Sequence, residues 1–340
     1  MKHLWFERGA YASKKARNYI ETEFLPENIK KIAVIRHAAL GDQVIVRPFL
    51  VEARKFFPNA EITLVGVSNY TYGMPSDLAD RTLIMLGKER KSEITLKDKI
   101  NNIKELGEQD IIFDLASTNR SHWMVALSKA KIKMGFPYKP YLCGTLFNMA
   151  VFRSDFQPEV ECMLDMLKLL GHNPSHPLDF AYPDHRHLKN DRNPFVLYFN
   201  GASQLRKILS KDQMFQLLEN AIQENPDHTH IYLEGKNDFE KGDFYQALLK
   251  YPNFKIQPCL PLDQLLELTA KAALMVAPDT GVRNIAIATH TPTVGIFYAT
   301  VPFRYTPLYE RHDIVMNANG EIPSTKQITQ AIKKSLTQNK

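Results

Sequence analysis

The sequence predicts an α/β protein made of two doubly wound domains, each with a parallel sheet covered by helices. Three observations support this fold class. Short apolar runs alternate with segments of helical periodicity, which is typical of βα units. The alternation occurs twice, before and after a polar, proline-marked stretch at 182–194. The chain also has 340 residues, 44% of them hydrophobic, which is enough for two separate cores.

In the first half, apolar runs that end at polar loops predict the strands. The first of these runs is followed by a helical pattern, which Pro58 and Asn59 interrupt. The predicted strands are 31–36, 61–67, 110–116 and a short one at 131–136, and the predicted helix is 43–57.

The second half repeats this alternation. Each of its strands also ends in a loop, and helical segments separate the strands. The predicted strands are 194–202, 228–235, 273–279 and 289–299. The predicted helices are 211–224, 239–251, 263–272 and a basic C-terminal one at 325–338.

The charge of the chain favours an anionic partner. The formal net charge is +6, and from Leu115 to Ser154 there are six basic residues and no acidic one. Such a distribution suits nucleic acid, a phosphorylated substrate or an acidic membrane surface. A solvated, lysine-rich face is the simpler alternative. Because no motif that reads RNA or DNA is present, we expect no nucleic-acid partner.

The cysteines and the hydropathy pattern bear on the location of the protein. Cys143, Cys162 and Cys259 lie far apart, with no CxxC pair and no zinc-binding spacing. There is no apolar run of about 18 residues and no apolar core of a secretory signal at the N-terminus. We therefore expect a cytoplasmic protein with free thiols, no metal ion and no cofactor.

The loops after the predicted strands carry the candidate functional residues. In doubly wound sheets, ligands bind where the carboxyl ends of strands meet the amino ends of helices. Polar residues occupy these positions in both halves. The loops are HAALGD at 37–42, FDLASTNR at 113–120, FNGASQLRK at 199–207, LEGKND at 233–238 and APDTGVRN at 277–284.

The last of these loops, APDTGVRN, has the composition of a phosphate site. Thr280 and Gly281 open a predicted helix, so their backbone amides can bind a phosphate. Asp279 would repel that phosphate, so we assign it to sugar hydroxyls; the alternative is that it only caps the helix. In the FNGASQLRK loop, Lys207 can neutralise a pyrophosphate leaving group. The alternative is that Lys207 and Arg206 are surface charges.

The HAALGD loop of the first half offers an acid instead of a phosphate site. Asp42 follows Gly41 at the first junction between a strand and a helix. A carboxylate at such a position can act as a general base, although a helix cap would also explain it. No Walker motif is present and no strand leads into GxGxxG, which argues against a dinucleotide dehydrogenase.

Five motifs together resemble a known family. Ile35, Arg36, Leu40, Gly41 and Asp42 match the pattern I-R-x-x-x-L-G-D. The other similar blocks are DIIFDLASTNRS at 110–121, AKIKMGFP at 130–137, GASQLRK at 201–207 and PDTGVRNIAIATHTPTVGIFYAT at 278–300. The chain resembles glycosyltransferase family 9, the bacterial lipopolysaccharide heptosyltransferases, from about Lys31 to about Pro307.

The resemblance implies a GT-B fold, in which two Rossmann-like domains face a central cleft. Residues 1–180 would bind the acceptor and residues 181–340 the nucleotide-sugar donor. The reaction would be inverting transfer of heptose from ADP-L-glycero-β-D-manno-heptose to the Kdo inner core of lipopolysaccharide. The partners would be ADP-heptose and a Kdo–lipid A acceptor at the cytoplasmic surface of the inner membrane.

The resemblance also implies a role for each candidate residue. Asp42 would be the catalytic base that deprotonates the acceptor hydroxyl. The donor-binding residues would be Ser203, Lys207, Asp238, Asp279, Thr280, Gly281 and Asn284. The residues for the phosphate or carboxylates of the acceptor would be Arg36, Arg47 and Arg120.

The sequence departs from the family pattern in several places. Asn284 stands where the family has a histidine after D-T-G, and the usual G-x-T near the end reads Tyr298-Ala299-Thr300, with Tyr298 in place of the glycine. These changes bear on the identity of the sugar more than on glycosyl transfer. They are consistent with a divergent branch that acts on an inner core with one phosphorylated Kdo.

A segment of about 30 residues precedes the first predicted strand. It combines aromatic with basic residues, which can rest on an anionic bilayer. These residues are Trp5, Phe6, Arg8, Tyr11, Lys14, Lys15 and Arg17. The alternative is a short helix packed on the surface of the domain.

Other functions are compatible with parts of the pattern. A sugar-nucleotide epimerase can share the GT-B architecture, but the L-G-D loop indicates an external acceptor. A transferase of another nucleotide sugar, or a degenerate protein that binds a nucleotide sugar without catalysis, are the remaining alternatives. The presence of both Asp42 and Lys207 favours an enzyme.

Overall fold

The chain forms two compact units, Met1–Ala181 and Tyr182–Lys340. The computed structural model describes residues 9–87, 95–189 and 192–337. Each unit has its own predominantly parallel sheet with helices packed against it. The predicted α/β class with two doubly wound sheets is confirmed.

The first unit contains a seven-stranded sheet. Its strands are β1 (Ala10–Ala12), β2 (Lys31–Ile35), β3 (Glu61–Val67), β4 (Arg81–Met85), β5 (Gln109–Asp114), β6 (Ala130–Gly135) and β7 (Met149–Val151). The order is β1-β7-β6-β5-β2-β3-β4, and only β1 runs antiparallel, against β7. The chain leaves β4 at one side of the sheet and continues at β5 on the other side of β2. The strand order therefore reverses between β2 and β5, and we call this position the first switch point.

The helices of the first unit pack against this sheet. They are α1 (Lys14–Thr22), α2 (Leu40–Ile45), α3 (Arg47–Phe56), α4 (Leu96–Lys104), α5 (Asn119–Leu127), α6 (Leu142–Thr145) and α7 (Glu159–Leu169). The single helix predicted at 43–57 is divided at Val46 into α2 and α3. Pro48 is the physical reason, because it has no amide hydrogen for the carbonyl of Val44.

The second unit contains a six-stranded sheet that is parallel throughout. Its strands are β8 (Phe195–Tyr198), β9 (Thr229–Leu233), β10 (Phe254–Gln257), β11 (Leu274–Pro278), β12 (Thr293–Ile296) and β13 (His312–Val315). The order is β10-β9-β8-β11-β12-β13. The strand order reverses between β8 and β11, which is the second switch point.

The helices of the second unit are close to those predicted. They are α8 (Lys211–Glu224), α9 (Leu262–Lys271), α10 (Gly281–Ala288) and α11 (Thr325–Thr337). The segment predicted as a helix at 239–251 instead forms 3₁₀ turns at Asp238–Glu240 and Asp243–Lys250.

The described part of the N-terminal segment packs on the first unit. Tyr11 is buried in β1, and the ring of Tyr19 on α1 lies 6.2 Å from that of Phe24. Phe24 in turn contacts the ring of Phe57 at the end of α3. Trp5, Phe6 and Arg8 lie outside the described residues. Within those residues, no helix is both long and apolar enough to cross a membrane.

Candidate active site

The first switch point brings together the loops after β2 and β5. Arg36 directly follows β2, and its side chain is buried. Its Nη1 donates a hydrogen bond of 2.6 Å to the carbonyl oxygen of Leu115, which directly follows β5. The polar loops HAALGD and FDLASTNR are therefore neighbours. They lie where doubly wound sheets usually bind ligands, at the carboxyl ends of the strands where the strand order reverses.

Asp42 is fixed at this switch point by Arg36. Nη2 of Arg36 donates a 2.9 Å hydrogen bond to Oδ1 of Asp42, which lies in the first turn of α2. The helix cap is Ala39, so Asp42 does not serve as the cap. The Asp42 side chain is 38% exposed, whereas that of Arg36 is 4% exposed. Thus a buried cation orients a carboxylate that solvent can reach.

A buried acid, Asp114, shapes the loop after β5. The Asp114 carboxylate is fully buried and accepts hydrogen bonds from the amides of Ala116 and Ser117 and from the Ser121 hydroxyl. Burial raises the pKa of Asp114 to about 6, although these hydrogen bonds oppose the shift. Ser117 has φ of 48°, so the loop contains a strained turn next to the site.

His37 belongs to the loop after β2, contacts the loop after β5 and carries no positive charge at neutral pH. Its Nδ1 is 3.3 Å from Oγ1 of Thr118 in the loop after β5. Burial, together with the charges of Arg120 and Arg36, lowers the pKa of His37 to about 3. Arg120, half-buried in the first turn of α5, therefore lies near enough to His37 to act on its charge.

Arg47 is held by contacts within the first unit. Its guanidinium forms a two-pronged ion pair with Asp77, at 2.9 and 2.6 Å, and donates to the carbonyls of Phe180 and Ala181. The side chain is buried. These contacts join α3 to the end of the first unit and stabilise it, and a role of Arg47 in acceptor binding stays a prediction.

The second switch point contains an ion pair. Lys207, after β8, donates a hydrogen bond of 2.6 Å from Nζ to Oδ2 of Asp279, after β11. The two side chains are 16% and 9% exposed. The simpler alternatives for the two residues do not hold. Lys207 is not a surface charge, and the cap of α10 is Thr280, not Asp279.

The loop after β8 is closed by a side chain that sequence reasoning missed. The Asn200 amide donates to the carbonyl of Leu209 at 2.9 Å and accepts from its amide at 3.0 Å. This pair of bonds folds the intervening residues back towards β11, which places Lys207 beside Asp279. Ser203, in the middle of the loop, is exposed.

Two glycines allow the loops after β8 and β9 to approach each other closely. A Cβ at Gly201 would lie 2.4 Å from Oε1 of the buried Glu240, and one at Gly235 would lie 2.0 Å from Oε2. Both glycines are therefore needed for the close approach of these loops. Asp238 is exposed at the start of the 3₁₀ turn and contacts neither Lys207 nor Asp279 among the described residues.

Helix α10 begins at this switch point. Its N-cap, Thr280, makes no side-chain capping bond, so within the described part of the chain the cap leaves the first amides of the helix open to a ligand. Asn284, which replaces the histidine of the family pattern, is buried one turn further on. Gly281 is the first residue of the helix, as predicted.

Arg283 is a second residue that sequence reasoning missed, although it lies inside the APDTGVRN motif. It is fully buried, and burial lowers the pKa of its guanidinium to about 10. It donates to the carbonyl of Tyr305 and to the hydroxyl of Thr306, at 2.9 and 3.0 Å. It therefore joins α10 to the segment after β12. An arginine in an apolar helical run was the available signal.

Comparison with known proteins shows the family of the chain. The family model of glycosyltransferase family 9 (heptosyltransferase) matches residues 100–334. A lipopolysaccharide core heptosyltransferase of Haemophilus influenzae is 24% identical over 306 residues, which are 86% of this chain and 85% of that protein. Arg120 and all the candidates of the second unit lie within the range of the family model, whereas Arg36, Asp42 and Arg47 precede it.

Solved structures of heptosyltransferases share the fold. The Escherichia coli heptosyltransferase WaaC with ADP-2-deoxy-2-fluoro heptose superposes with a TM-score of 0.70 at 16% identity, over 91% of this chain and all of that one. The Escherichia coli ADP-heptose heptosyltransferase II gives a TM-score of 0.66 at 16% identity, over 91% and 99%. Both comparisons confirm the GT-B fold. The chain belongs to glycosyltransferase family 9, and it is a glycosyltransferase.

The low pKa of His37 predicts a contribution to acid sensitivity. Because the folded-state pKa is about 3 and an unfolded histidine has a pKa near 6.5, only the unfolded state gains this proton between those values. Folding stability should therefore fall as the pH falls through about 6.5, by up to about 1.4 kcal/mol per pH unit for this residue.

The unmodified protein and His37→Gln should both lose free energy of unfolding between pH 7.5 and pH 5, as measured by urea unfolding. We expect this loss to be about 1–2 kcal/mol smaller in His37→Gln than in the unmodified protein. His187→Gln, at an exposed position, is the matched control and should lose as much as the unmodified protein. Equal losses for His37→Gln and the control would contradict the neutral state of His37 in the folded protein.

Proposed function

We propose that this enzyme transfers heptose from ADP-L-glycero-β-D-manno-heptose to the Kdo inner core of lipopolysaccharide, with inversion at the anomeric carbon. The observation that carries the proposal is the state of Asp42, an accessible carboxylate oriented by a buried arginine at a switch point. The family and its named heptosyltransferase relatives support heptose as the sugar. The complex of WaaC with an ADP-heptose analogue supports ADP as the carrier.

The donor would bind to the second unit. Its diphosphate would meet the ammonium group of Lys207 and the first amides of α10, at Thr280 and Gly281. Both are sources of positive charge, since a helix amino end carries partial positive charge and free amide hydrogens. Asp279, paired with Lys207, would bind sugar hydroxyls. Ser203, Asp238 and Asn284 complete the proposed donor site, with Asp238 on the ribose side.

The acceptor would bind to the first unit. Arg120 is the proposed ligand for an anionic group of the acceptor, either a Kdo carboxylate or a phosphate on Kdo. Arg36 is buried and already bonded to Asp42, so its role there would be to position the base. Burial, helped by the charges of Arg120 and Arg36, lowers the pKa of His37, so a neutral imidazole would be available as a hydrogen-bonding partner for an acceptor hydroxyl.

The chemistry follows from these positions. Asp42 would accept the proton of the acceptor hydroxyl as its oxygen attacks the anomeric carbon of heptose. The bond between that carbon and the β-phosphate oxygen breaks, and the electron pair leaves with ADP. Lys207 and the amides of α10 would stabilise the charge that develops on the leaving diphosphate. The products are the heptosylated acceptor and ADP, and the proton is on Asp42.

The proposal includes a location. The acceptor of such a reaction is a lipid, so we propose a cytoplasmic protein that associates peripherally with the inner membrane. The first unit, corresponding to the predicted 1–180 domain, would then approach the lipid-linked acceptor.

Replacement of the proposed base should separate catalysis from donor binding. We expect Asp42→Asn to lower kcat by a factor of about 10² to 10⁴, the usual contribution of general base catalysis. The affinity for ADP should stay unchanged, because Asp42 belongs to the first unit. Steady-state transfer assays and calorimetric titration with ADP measure the two quantities. Asp227→Asn, an exposed control, should leave both unchanged. Full activity of Asp42→Asn would rule out the assigned base.

Replacement of the proposed phosphate ligand should act on the donor. We expect Lys207→Met to weaken ADP binding by about 10- to 100-fold, since hydrogen bonds to charged groups contribute about 1.5–3 kcal/mol. The thermal shift produced by ADP should fall accordingly. Lys211→Met, at the exposed start of α8, is the matched control. Unchanged ADP binding in Lys207→Met, or a larger shift with UDP or GDP than with ADP, would contradict the donor assignment.

A further inference from the structure

Helix α5 of the first unit exposes an apolar face. Trp123 and Leu127 lie one turn apart on it, and they are 65% and 54% exposed. Met124 and Val125, on the other side of the helix, are fully buried in the core. A surface helix normally presents charged and polar side chains to water. Here both sides of the helix are apolar, so the outer side is suited to a contact.

The apolar face continues onto the segment after β6. The ring of Tyr138 stacks on His122 of α5, with 5.3 Å between ring centroids. Tyr138 is 55% exposed and Tyr141 is 61% exposed. We call the four exposed side chains Trp123, Leu127, Tyr138 and Tyr141 the aromatic surface. A contiguous set of large exposed apolar side chains usually marks an interaction site.

Positive charge accompanies the aromatic surface. The ammonium group of Lys139 lies 5.9 Å from the ring centroid of Tyr138 and 5.8 Å from that of Tyr141. Lys129, which is exposed, follows Leu127 by two residues. The sequence from Leu115 to Ser154 contains no acidic residue that could offset these charges. The partner should therefore combine an apolar interior with a negatively charged surface.

We propose that the aromatic surface docks on an anionic lipid bilayer. Tryptophan and tyrosine are suited to the level of the lipid headgroups, since their rings have an apolar body and a polar tip. Lysines beside them attract acidic headgroups. The surface lies on α5, which also carries Arg120, so docking would bring the proposed acceptor site close to the membrane. The proposal does not depend on the proposed reaction.

The positive charge beside the aromatic surface also argues against a second copy of the chain as the partner. A twofold contact through the aromatic surface would place the lysines of one copy next to those of the other. Like charges brought together in a contact are unfavourable. An anionic bilayer instead supplies the opposite charge over the whole surface.

Tryptophan fluorescence gives a direct test. The chain has two tryptophans, so in Trp5→Phe the emission comes from Trp123 alone. We expect a blue shift of this emission, and co-sedimentation, with vesicles of phosphatidylglycerol and phosphatidylcholine. Both effects should be absent with pure phosphatidylcholine and should weaken as salt increases. Anionic vesicles that bind the protein without changing this emission would overturn the proposal, because another surface would then be the contact.

Matched variants locate the contact. In the Trp5→Phe background, we expect Leu127→Ser and Lys139→Glu to weaken binding to the anionic vesicles by about tenfold or more. Leu249→Ser is the control, because Leu249 is also an exposed leucine, next to Lys250 in the second unit. Equal losses in Leu127→Ser and Leu249→Ser would overturn the proposal. A blue shift that appears on concentrating the protein without vesicles would do the same and identify a second copy as partner.

The outcome is distinct from that of the proposed reaction. Leu127→Ser should transfer sugar to a deacylated, water-soluble acceptor as fast as the unmodified protein, and it should be slower only on acceptor embedded in vesicles. Loss on the soluble acceptor as well would contradict a role restricted to docking.

Discussion

The buried guanidinium of Arg36 is the constraint on which the first unit's site depends. A charge removed from water is costly unless protein groups compensate it, so the chain must supply partners around it. These are the carbonyl of Leu115, the carboxylate of Asp42 and, at 3.6 Å, that of Glu159. They come from the loop after β5, from α2 and from α7. One cation therefore joins the separate segments and fixes an accessible carboxylate at the same time.

In the second unit, charged groups that are removed from water also compensate each other at the switch point. Lys207 and Asp279 compensate each other where β8 and β11 diverge. Arg283, which is also buried, donates from its two Nη atoms to the carbonyl of Tyr305 and the Thr306 hydroxyl. A Cβ at Gly295 would lie 2.7 Å from Nε of Arg283, which explains a glycine in the middle of β12. In both units, charged groups thus gather where strand order reverses and the sheet itself leaves room for a ligand.

Sequence reasoning identified the central strands and the site loops but not the outer parts. β3 and α8 have the predicted bounds, because continuous apolar runs and helical periodicity are strong signals for buried elements. The unpredicted strands are β1, β4, β7, β10 and β13. Four of them are sheet edges and the fifth, β7, has only three residues. Similarly, their positions in loops after strands make Asp42 and Lys207 candidates in the sequence, whereas the hydrogen-bond partners of Arg47 and His37 are distant in sequence, Phe180 and Thr118 among them.

The most direct test of the account is the transfer reaction itself, followed by mass spectrometry. Purified protein would be incubated with ADP-heptose and with Kdo–lipid A acceptors, including one with a single phosphorylated Kdo. We expect an acceptor to gain the mass of one heptose and an equal amount of ADP to be released. Folded protein that binds ADP but modifies none of these acceptors, or that transfers sugar only from another nucleotide, would contradict this expectation.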